Sequence, residues 1–389
     1  MPLRQPTRLV AGLMSGTSLD GIDAVVARLS GSGRGMTAEL LVFLHLPYEA
    51  ALRAALLDNS APETSSVRAI AQLNVRLAHA YAGAVRAACA EAGLPVDALD
   101  LVGSHGQTLH HVPDAADCAG LAVTSTFQVG DPSVLANLLG VPVVGDFRLA
   151  DMALGGQGAP LVPYFDYACL GSDRETRGLL NLGGIANITV VPRGAGPEAV
   201  RAFDTGPANM VIDALARHFF GEPYDRAGRH AAEGTIDNAL LAGLLDDDYF
   251  AQPPPKSTGR ERYGAPYTER LLAQSAHLDP PDVLATATAL TAASVYQAYA
   301  RFIRDHHALD VLIVSGGGRH NAFLMQKLEE GFAPIPVRPL DAYGVDPDAK
   351  EALCFAVLAH ETANGVPTNL PSVTGAARPT LLGKLCRPA

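Results

Sequence analysis

Apolar and polar positions change their period several times along the chain, and each change marks an element. Arg8 to Met14 is short, apolar and suited to a strand, SGTSLDG then supplies turn chemistry, and Ile22 to Leu29 is again β-branched and apolar. The two segments read as a hairpin closed through Asp20-Gly21. A third strand is expected at Ala38 to His45, with helical periodicity following from Val67 to Gly93. The same order then returns: Gly178 to Leu182, a Gly183-Gly184 turn, Ile185 to Val191, a Pro-Arg-Gly turn, Ala199 to Asp204, and a helix from Ala208 to Phe220. Two Gly-rich hairpins thus open two similar modules roughly 170 residues apart, which implies duplicated domains, because solenoid repeats have periods of about 20–50 residues.

Beyond the second module, PPPKSTGRERYG is too polar and too broken for a regular element. Pro281 to His306 is Ala-rich and helical in character, and Asp310 to Val314 is a compact candidate for a buried strand. That strand runs into Ser315-Gly316-Gly317-Gly318, with a helix expected to start near Asn321. A further helix, Asp348 to Ala363, carries Asp348 and Glu351 near its start and stops at Asn364-Gly365. Alternating strands and helices make the class α/β.

Composition narrows the function. The chain has 389 residues, 48% of them hydrophobic and 18% charged, enough to bury a core and, at about 150 residues per domain, to form two domains. A net charge of −11 argues against a broad basic surface for nucleic acid or anionic lipid. The 38 glycines and 28 prolines exceed ordinary usage and suggest tight turns or ligand loops. Five scattered cysteines without a C-x-x-C pair speak against a disulfide framework or a structural zinc site. The start, MPLRQPTRLVAGLMSG, does not read as a signal peptide, and no uninterrupted apolar run of about 18 residues offers a membrane span. A cytoplasmic protein is expected.

The strongest local feature is MSGTSLDGID, Met14 to Asp23. Glycine and hydroxyl residues on a tight turn bring backbone N–H groups against a phosphate, with Ser15, Thr17 and Ser18 as further donors. Lacking Lys and leading into a strand, it is not a Walker A loop. Asp20 and Asp23 flank the turn and are suited to Mg2+, directly or through water. The competing reading is an ordinary polar hairpin. The second hairpin, Asn181 to Thr189, offers similar chemistry, although adjacent glycines alone signify only a type I′ turn. Two donor-rich hairpins facing a cleft between the halves would hold a polyphosphate and its metal.

Asp204, in FDTGP, is placed at a strand end before a helix, either as a general base toward a hydroxyl or water or as a simple turn or N-cap residue. Arg148, ahead of the Gly155-Gly156-Gln157-Gly158 stretch, is a candidate clamp for a carboxylate or phosphate, or else a partner in a surface ion pair. SHGQT, Ser104 to Thr108, is a candidate ligand loop; His105, His110 and His111 lack a second cluster with metal-ligand spacing. Gly316 to Gly318 either admit a flat ring or ribose or simply make a close strand-to-helix turn. Glu351 is a cap-region charge or a substrate ligand.

Taken in order, MSGTSLDGID, SHGQT, VVGDFRLADMALGGQGAPLVP, NLGGIANIT, FDTGPAN, PKSTGRE and VSGGGRHN closely resemble the anhydro-N-acetylmuramic acid kinases of bacterial cell-wall recycling, from Leu9 to Leu382. The resemblance implies two related actin-like ATPase domains flanking a central nucleotide and substrate cleft, expected at 1–145 plus 365–389 and at 146–364. It implies that ATP, water and 1,6-anhydro-N-acetylmuramate give N-acetylmuramate 6-phosphate and ADP, with Asp204 as the base that activates water. ATP would be held by Ser15, Gly16, Thr17, Ser18, Leu19, Asp20, Gly21 and Ile22, by Gly183 and Gly184, and by Gly316, Gly317 and Gly318. Mg2+ would lie near Asp20, through water, and Gln107, Arg148 and Glu351 would face the sugar. A homodimer with a small-molecule sugar substrate, and with neither nucleic-acid nor membrane partners, is the corresponding expectation. A kinase of an intact N-acetylhexosamine and a non-catalytic nucleotide-dependent sugar sensor remain as alternatives.

Overall fold

Residues 7–389 are described by the structure, a computed structural model; part of the basic N-terminal stretch read above, 1–6, lies outside them. The first apolar segments form β1 (Arg8–Ser15), β2 (Gly21–Ser30) and β3 (Thr37–Pro47), an antiparallel meander. β4 (Leu101–Cys118) then runs parallel to β1, with β5 (Leu121–Val129) antiparallel to β4 and β6 (Val143–Gly145) parallel to it. The C-terminal strand Lys384–Cys386 closes the other side of β6. The two faces of this sheet are used differently because side chains alternate along a strand. Ala11 and Leu13 join the apolar core with Leu73, Leu77, Tyr81 and Val85 of the helix Val67–Glu91.

On the opposite face the backbone itself is the packing surface. A Cβ on Gly12 would lie 2.1 Å from Ala352 O, and one on Gly103 would lie 2.1 Å from Phe355 O. Glycine at both points lets the helix Lys350–Ala363 seat directly on β1 and β4. These two glycines therefore serve helix packing and not a ligand.

The second module begins with β7 (Arg177–Leu182), β8 (Ile185–Val191) and β9 (Arg201–Pro207), again an antiparallel meander. β10 (Val311–Ser315) and β11 (Val337–Pro339) follow in parallel, giving the order β11-β10-β7-β8-β9. The first sheet contains the matching order β6-β4-β1-β2-β3. The module duplication expected from the sequence is thus present in strand order and direction. In the second sheet Leu180, Ile188, Leu312 and Val314 pack with Val295 and Tyr299 of the helix Pro280–Phe302.

The chain divides into two units: residues up to Leu170 together with Asp348–Ala389, and Gly171–Pro347. These boundaries differ from the expected cuts at 145 and 364. The helix Val162–Leu170 and the whole helix Lys350–Ala363 belong with the first sheet; the close seats at Gly12 and Gly103 and a buried ion pair of 2.7 Å between Lys350 and Asp166 give the reason. Two further differences are local. A helix at Ala50–Asp58 was not anticipated, and PPPKSTGRERYG holds one helical turn, Arg260–Tyr263, whose Tyr263 is fully buried. Among the described residues no helix is long and apolar enough to cross a membrane.

Candidate active site

The turn between β1 and β2 spans Gly16 to Asp20, and Gly21 already belongs to β2, so the hairpin does not close through Asp20-Gly21. Leu19 takes a left-handed φ of 54°, which turns its side chain into the core while its N–H donates to Gly16 O at 3.3 Å. Arg53 Nε donates to Leu19 O at 2.8 Å and Tyr48 N–H to Asp20 O at 3.1 Å. Gln107, with no exposed surface, braces the turn from beneath: its Nε2 donates to Gly16 O at 3.0 Å and its Oε1 accepts from Tyr48 Oη at 3.1 Å. Ser15 is buried with its hydroxyl 2.5 Å from Tyr81 Oη. Ile22 packs in the core, and a Cβ on Gly21 would strike Leu46 O at 2.4 Å. What faces outward is Thr17, Ser18, Asp20 and the bare backbone at Gly16, where the nearest obstacle to a Cβ is Ser18 Oγ at 3.6 Å.

Negative charge gathers at the turn. Ser18 Oγ donates to Asp20 Oδ1 at 2.8 Å, and Asp23 Oδ1 lies 2.7 Å from His45 Nδ1. Burial raises the Asp23 carboxyl above its usual range; His45 opposes this, while the charges of Asp20 and Asp348 add to it. Among the described residues no group of three or more His, Cys, Asp or Glu forms a metal cage. Mg2+ takes one or two carboxylates, waters and substrate phosphates, so an exposed Asp20 beside Asp23 fits that donor set.

Arg148 is half-buried and, among the described residues, makes no surface ion pair. Its Nε and Nη2 lie 3.1 and 2.9 Å from His105 Nε2, and its Nη1 donates to Gly158 O at 2.7 Å. Two N–H groups aimed at Nε2 require a lone pair there, so the ring proton sits on Nδ1. Burial, reinforced by Arg148, holds His105 well below the usual imidazole range and therefore neutral. Burial also lowers Arg148 to about 10, with Glu351 opposing. Glu351 reaches solvent, yet the protein mass around it raises its carboxyl; Lys350 and Arg148 pull it down and Asp23 pushes it up. The GGQG stretch is shaped by Asp151, fully buried, which accepts from Gly158 N at 2.8 Å, Asn369 Nδ2 at 2.8 Å and Thr374 Oγ1 at 2.7 Å.

In the second unit the Gly183-Gly184 turn is not of type I′, since neither glycine has positive φ. Its carbonyls are instead held by the start of the helix Asn209–Phe220: Asn209 N–H donates to Gly183 O at 3.1 Å, and Ala208 and Met210 N–H to Gly184 O at 3.0 and 3.1 Å. Gly316 and Gly318 are close-packing positions, with a Cβ meeting Asn181 Oδ1 at 2.5 Å and Leu182 Cβ at 2.6 Å respectively. Gly183, Gly184 and Gly317 are open, nothing approaching a Cβ nearer than 3.4 Å.

Asp204 lies within β9 and does not cap the following helix, whose N-cap is Ala208. The register between β8 and β9 shifts here: Asn187 faces Asp204 and Ala186 faces Gly206, leaving Thr205 as the extra residue of a bulge. Thr205 Oγ1 donates to Ala186 O at 3.1 Å, and Gly206, at φ 147°, sits where a Cβ would meet Phe250 at 2.7 Å. Asp204 Oδ2 accepts from Thr258 N–H at 2.9 Å; among the described residues no protein donor reaches Oδ1. Burial raises the Asp204 carboxyl to about 6, Thr258 and Lys256 working against it and Glu261 with it. Sequence reasoning left Tyr249, Lys256 and Thr258 unassigned, although PKSTGRE was itself a recognisable string.

The sequence matches the family model for anhydro-N-acetylmuramic acid kinase over residues 8–388. The chain is 60% identical over 387 residues to a protein of that name from Salinibacter ruber (strain DSM 13855 / M31), covering 99% of this chain and 98% of the relative. It is 43% identical over 382 residues to another so named from Caldanaerobacter subterraneus subsp. tengcongensis, with 97% and 96% covered. Among solved structures, a xylulose kinase from Rhodospirillum rubrum overlays with a TM-score of 0.48 at 14% identity, covering 98% of this chain and 94% of that one, a likeness too distant to bear on the site.

Proposed function

Because the chain belongs to the anhydro-N-acetylmuramic acid kinase family, we propose that it uses ATP to open and phosphorylate 1,6-anhydro-N-acetylmuramate in a single site, giving N-acetylmuramate 6-phosphate and ADP for cell-wall recycling. Water attacks the anomeric carbon as Asp204 Oδ1 takes its proton. The C1–O6 bond breaks, O6 keeps the electron pair, and that oxygen attacks the γ-phosphorus as ADP leaves. The observation that carries this reading is the asymmetry of Asp204. One oxygen is anchored by Thr258 N–H, the other has no protein donor among the described residues, and burial has raised the group to about 6, near the working range of a general base.

The Gly16–Asp20 turn of the first unit, with its outward hydroxyls, is a proposed contact for the ATP phosphates, and the open backbone of Gly183, Gly184 and Gly317 in the second unit is, by itself, another proposed nucleotide contact. Asp20 and Asp23 would hold Mg2+ through water, and the ion would supply neutralisation of phosphate charge. Arg148, oriented by His105 and Gly158, and Glu351 are the proposed sugar contacts. Gln107 acts in this reading through the turn it braces. Running the reaction in 18O-labelled water tests the proposal: label should appear at C1 of the product, and unlabelled product would show phosphorylation without hydrolytic opening.

A further inference from the structure

The Pro255–Gly259 segment, too polar and too broken in sequence for a regular element, is tied to Asp204 by two hydrogen bonds. Asp204 N–H donates to Lys256 O at 3.3 Å, and Thr258 N–H donates to Asp204 Oδ2 at 2.9 Å. Tyr249 Oη donates to Asp204 O at 2.8 Å. Lys256 completes the ring of contacts: its Nζ donates to Tyr249 O at 3.0 Å and lies 4.5 Å from the ring centre of Tyr249, 4.9 Å from that of Phe302 and 5.8 Å from that of Phe203. A lysine in such a cage is held by cation–π attraction and by a carbonyl, and its stem cannot swing without dragging the strap.

We propose that Lys256 is a positioning residue for the reaction: its caged ammonium pins the strap, so that Thr258 N–H fixes one oxygen of Asp204 and leaves the other aimed at the attacking water. The proposal rests on Asp204 being the base. Lys256 touches no reacting atom in this scheme and acts through the strap and through its charge. The other charged groups bearing on Asp204 and Lys256 are Glu261, beyond the strap, and Arg301 on the helix Pro280–Phe302; Tyr249 adds only a neutral hydroxyl. Burial, with Arg301, brings Lys256 to about 8, and Asp204 holds it up. Protonated Lys256 and ionised Asp204 thus favour each other.

The test compares Lys256→Met, which keeps a long side chain for the cage but removes the charge, with Lys256→Arg, which keeps both. Two readouts are needed: the pH profile of turnover with the anhydro sugar, and the titration of the Asp204 carboxyl by 13C NMR in substrate-free protein, identified by its loss in Asp204→Asn. In Lys256→Met the carboxyl and the acid limb of the profile should both rise by roughly half to one pH unit, the sign expected when an opposite charge is removed. Turnover should fall ~10-fold with the sugar KM within about twofold, as expected when a base is misaimed and not when binding is lost. Lys256→Arg should restore both readouts. A Lys256→Met protein that titrates and turns over like the parent would overturn the proposal, as would equal damage in both variants, which would mark a packing role alone. If Asp204→Asn is itself fully active, the base assignment falls, while the titration still decides whether Lys256 tunes Asp204.

Discussion

Replacing Asp204 by Asn separates two consequences of the same burial. The amide oxygen can take the place of Oδ2 and keep the Thr258 N–H bond, so the local backbone is undisturbed, but the outward atom becomes an NH2 group with no basic lone pair. Turnover of the anhydro sugar should fall by about 10²–10⁴-fold, the usual worth of a general base. Stability should move the other way. The folded protein holds the Asp204 proton up to about 6, against 3.8 for the free group. A raised carboxyl costs nothing below pH 3.8, and its cost grows between 3.8 and 6 and is fully present above 6. About two pK units correspond to ~3 kcal/mol, and partial access of solvent reduces this to ~1–3 kcal/mol.

Asn carries no charge to desolvate, so Asp204→Asn should melt several degrees higher than the parent at pH 7.5, at about 2–4 °C per kcal/mol for a unit of this size. The gap should shrink as the pH is lowered toward 4.5. Coupled detection of ADP and calorimetric melts at the two pH values make the assay. Undiminished ADP release would remove Asp204 from the chemistry. A gain in melting temperature that is the same at both pH values would refute the argument from desolvation.

Other changes probe different links. Asp213 is also raised to about 6, by burial, so Asp213→Asn should leave the acid limb of the activity profile near pH 6 unmoved whereas changes at the Lys256 strap move it; a steady-state pH series decides. Gly12→Ala or Gly103→Ala places a Cβ 2.1 Å from a helix carbonyl and should destabilise by ~1–3 kcal/mol or more, read as a fall in the urea midpoint. Gly317→Ala meets nothing nearer than 3.6 Å and should melt like the parent while raising the KM for ATP, if that backbone meets the nucleotide. Gln107→Leu removes one of the two donors to Gly16 O and the buried acceptor of Tyr48 Oη, and should cost ~1–3 kcal/mol in thermal stability, with the KM for ATP rising more than that for the sugar.

Most strands were legible because their apolar runs and turn residues agree. Ile185 to Val191 and Val67 onward were read almost to the residue, and the repeated three-strand opening followed from the two hairpins, whereas β5, β6 and β11 were not read and SHGQT, expected as a ligand loop, lies inside β4. What escaped has a common physical cause. Gly12 and Gly103 carry no mark of their role in the sequence, and only the seating of a helix from the far end of the chain shows that they admit a backbone. The extent of the first unit was lost for the same reason, since the contacts of the helix Lys350–Ala363 lie more than 200 residues away in sequence from β1 and β4. Gln107 was assigned to substrate on motif position, yet its polar atoms are used by the turn and by Tyr48. Nothing in SHGQT distinguishes a glutamine that faces a ligand from one that faces a buried carbonyl.

Duplication supplied two meanders, and the chemistry assigned to each arises where they diverge. In the first unit the β1–β2 turn keeps side chains with hydroxyl and carboxylate groups outward, while its β2–β3 register slips at Val26/Ala27, far from the turn. In the second, the corresponding turn has shed its side chains to two glycines stapled onto a helix, and the slip lies at Ala186/Asn187, next to the turn. That displaced bulge inserts Thr205, whose hydroxyl repairs the ladder at Ala186 O, and it forces glycine at 206. Removing the extra residue would keep Asn187 opposite Asp204 and Ala186 opposite Gly206, but would straighten the bend and local twist that the bulge puts into β9 and so move the Asp204 carboxylate off Thr258. A deletion of Thr205 should therefore abolish turnover and the raised carboxyl titration together, even where far-ultraviolet circular dichroism reports an intact sheet. Survival of that titration in the deletion protein would mean that burial by the strap, and not the bulge, fixes the position of Asp204.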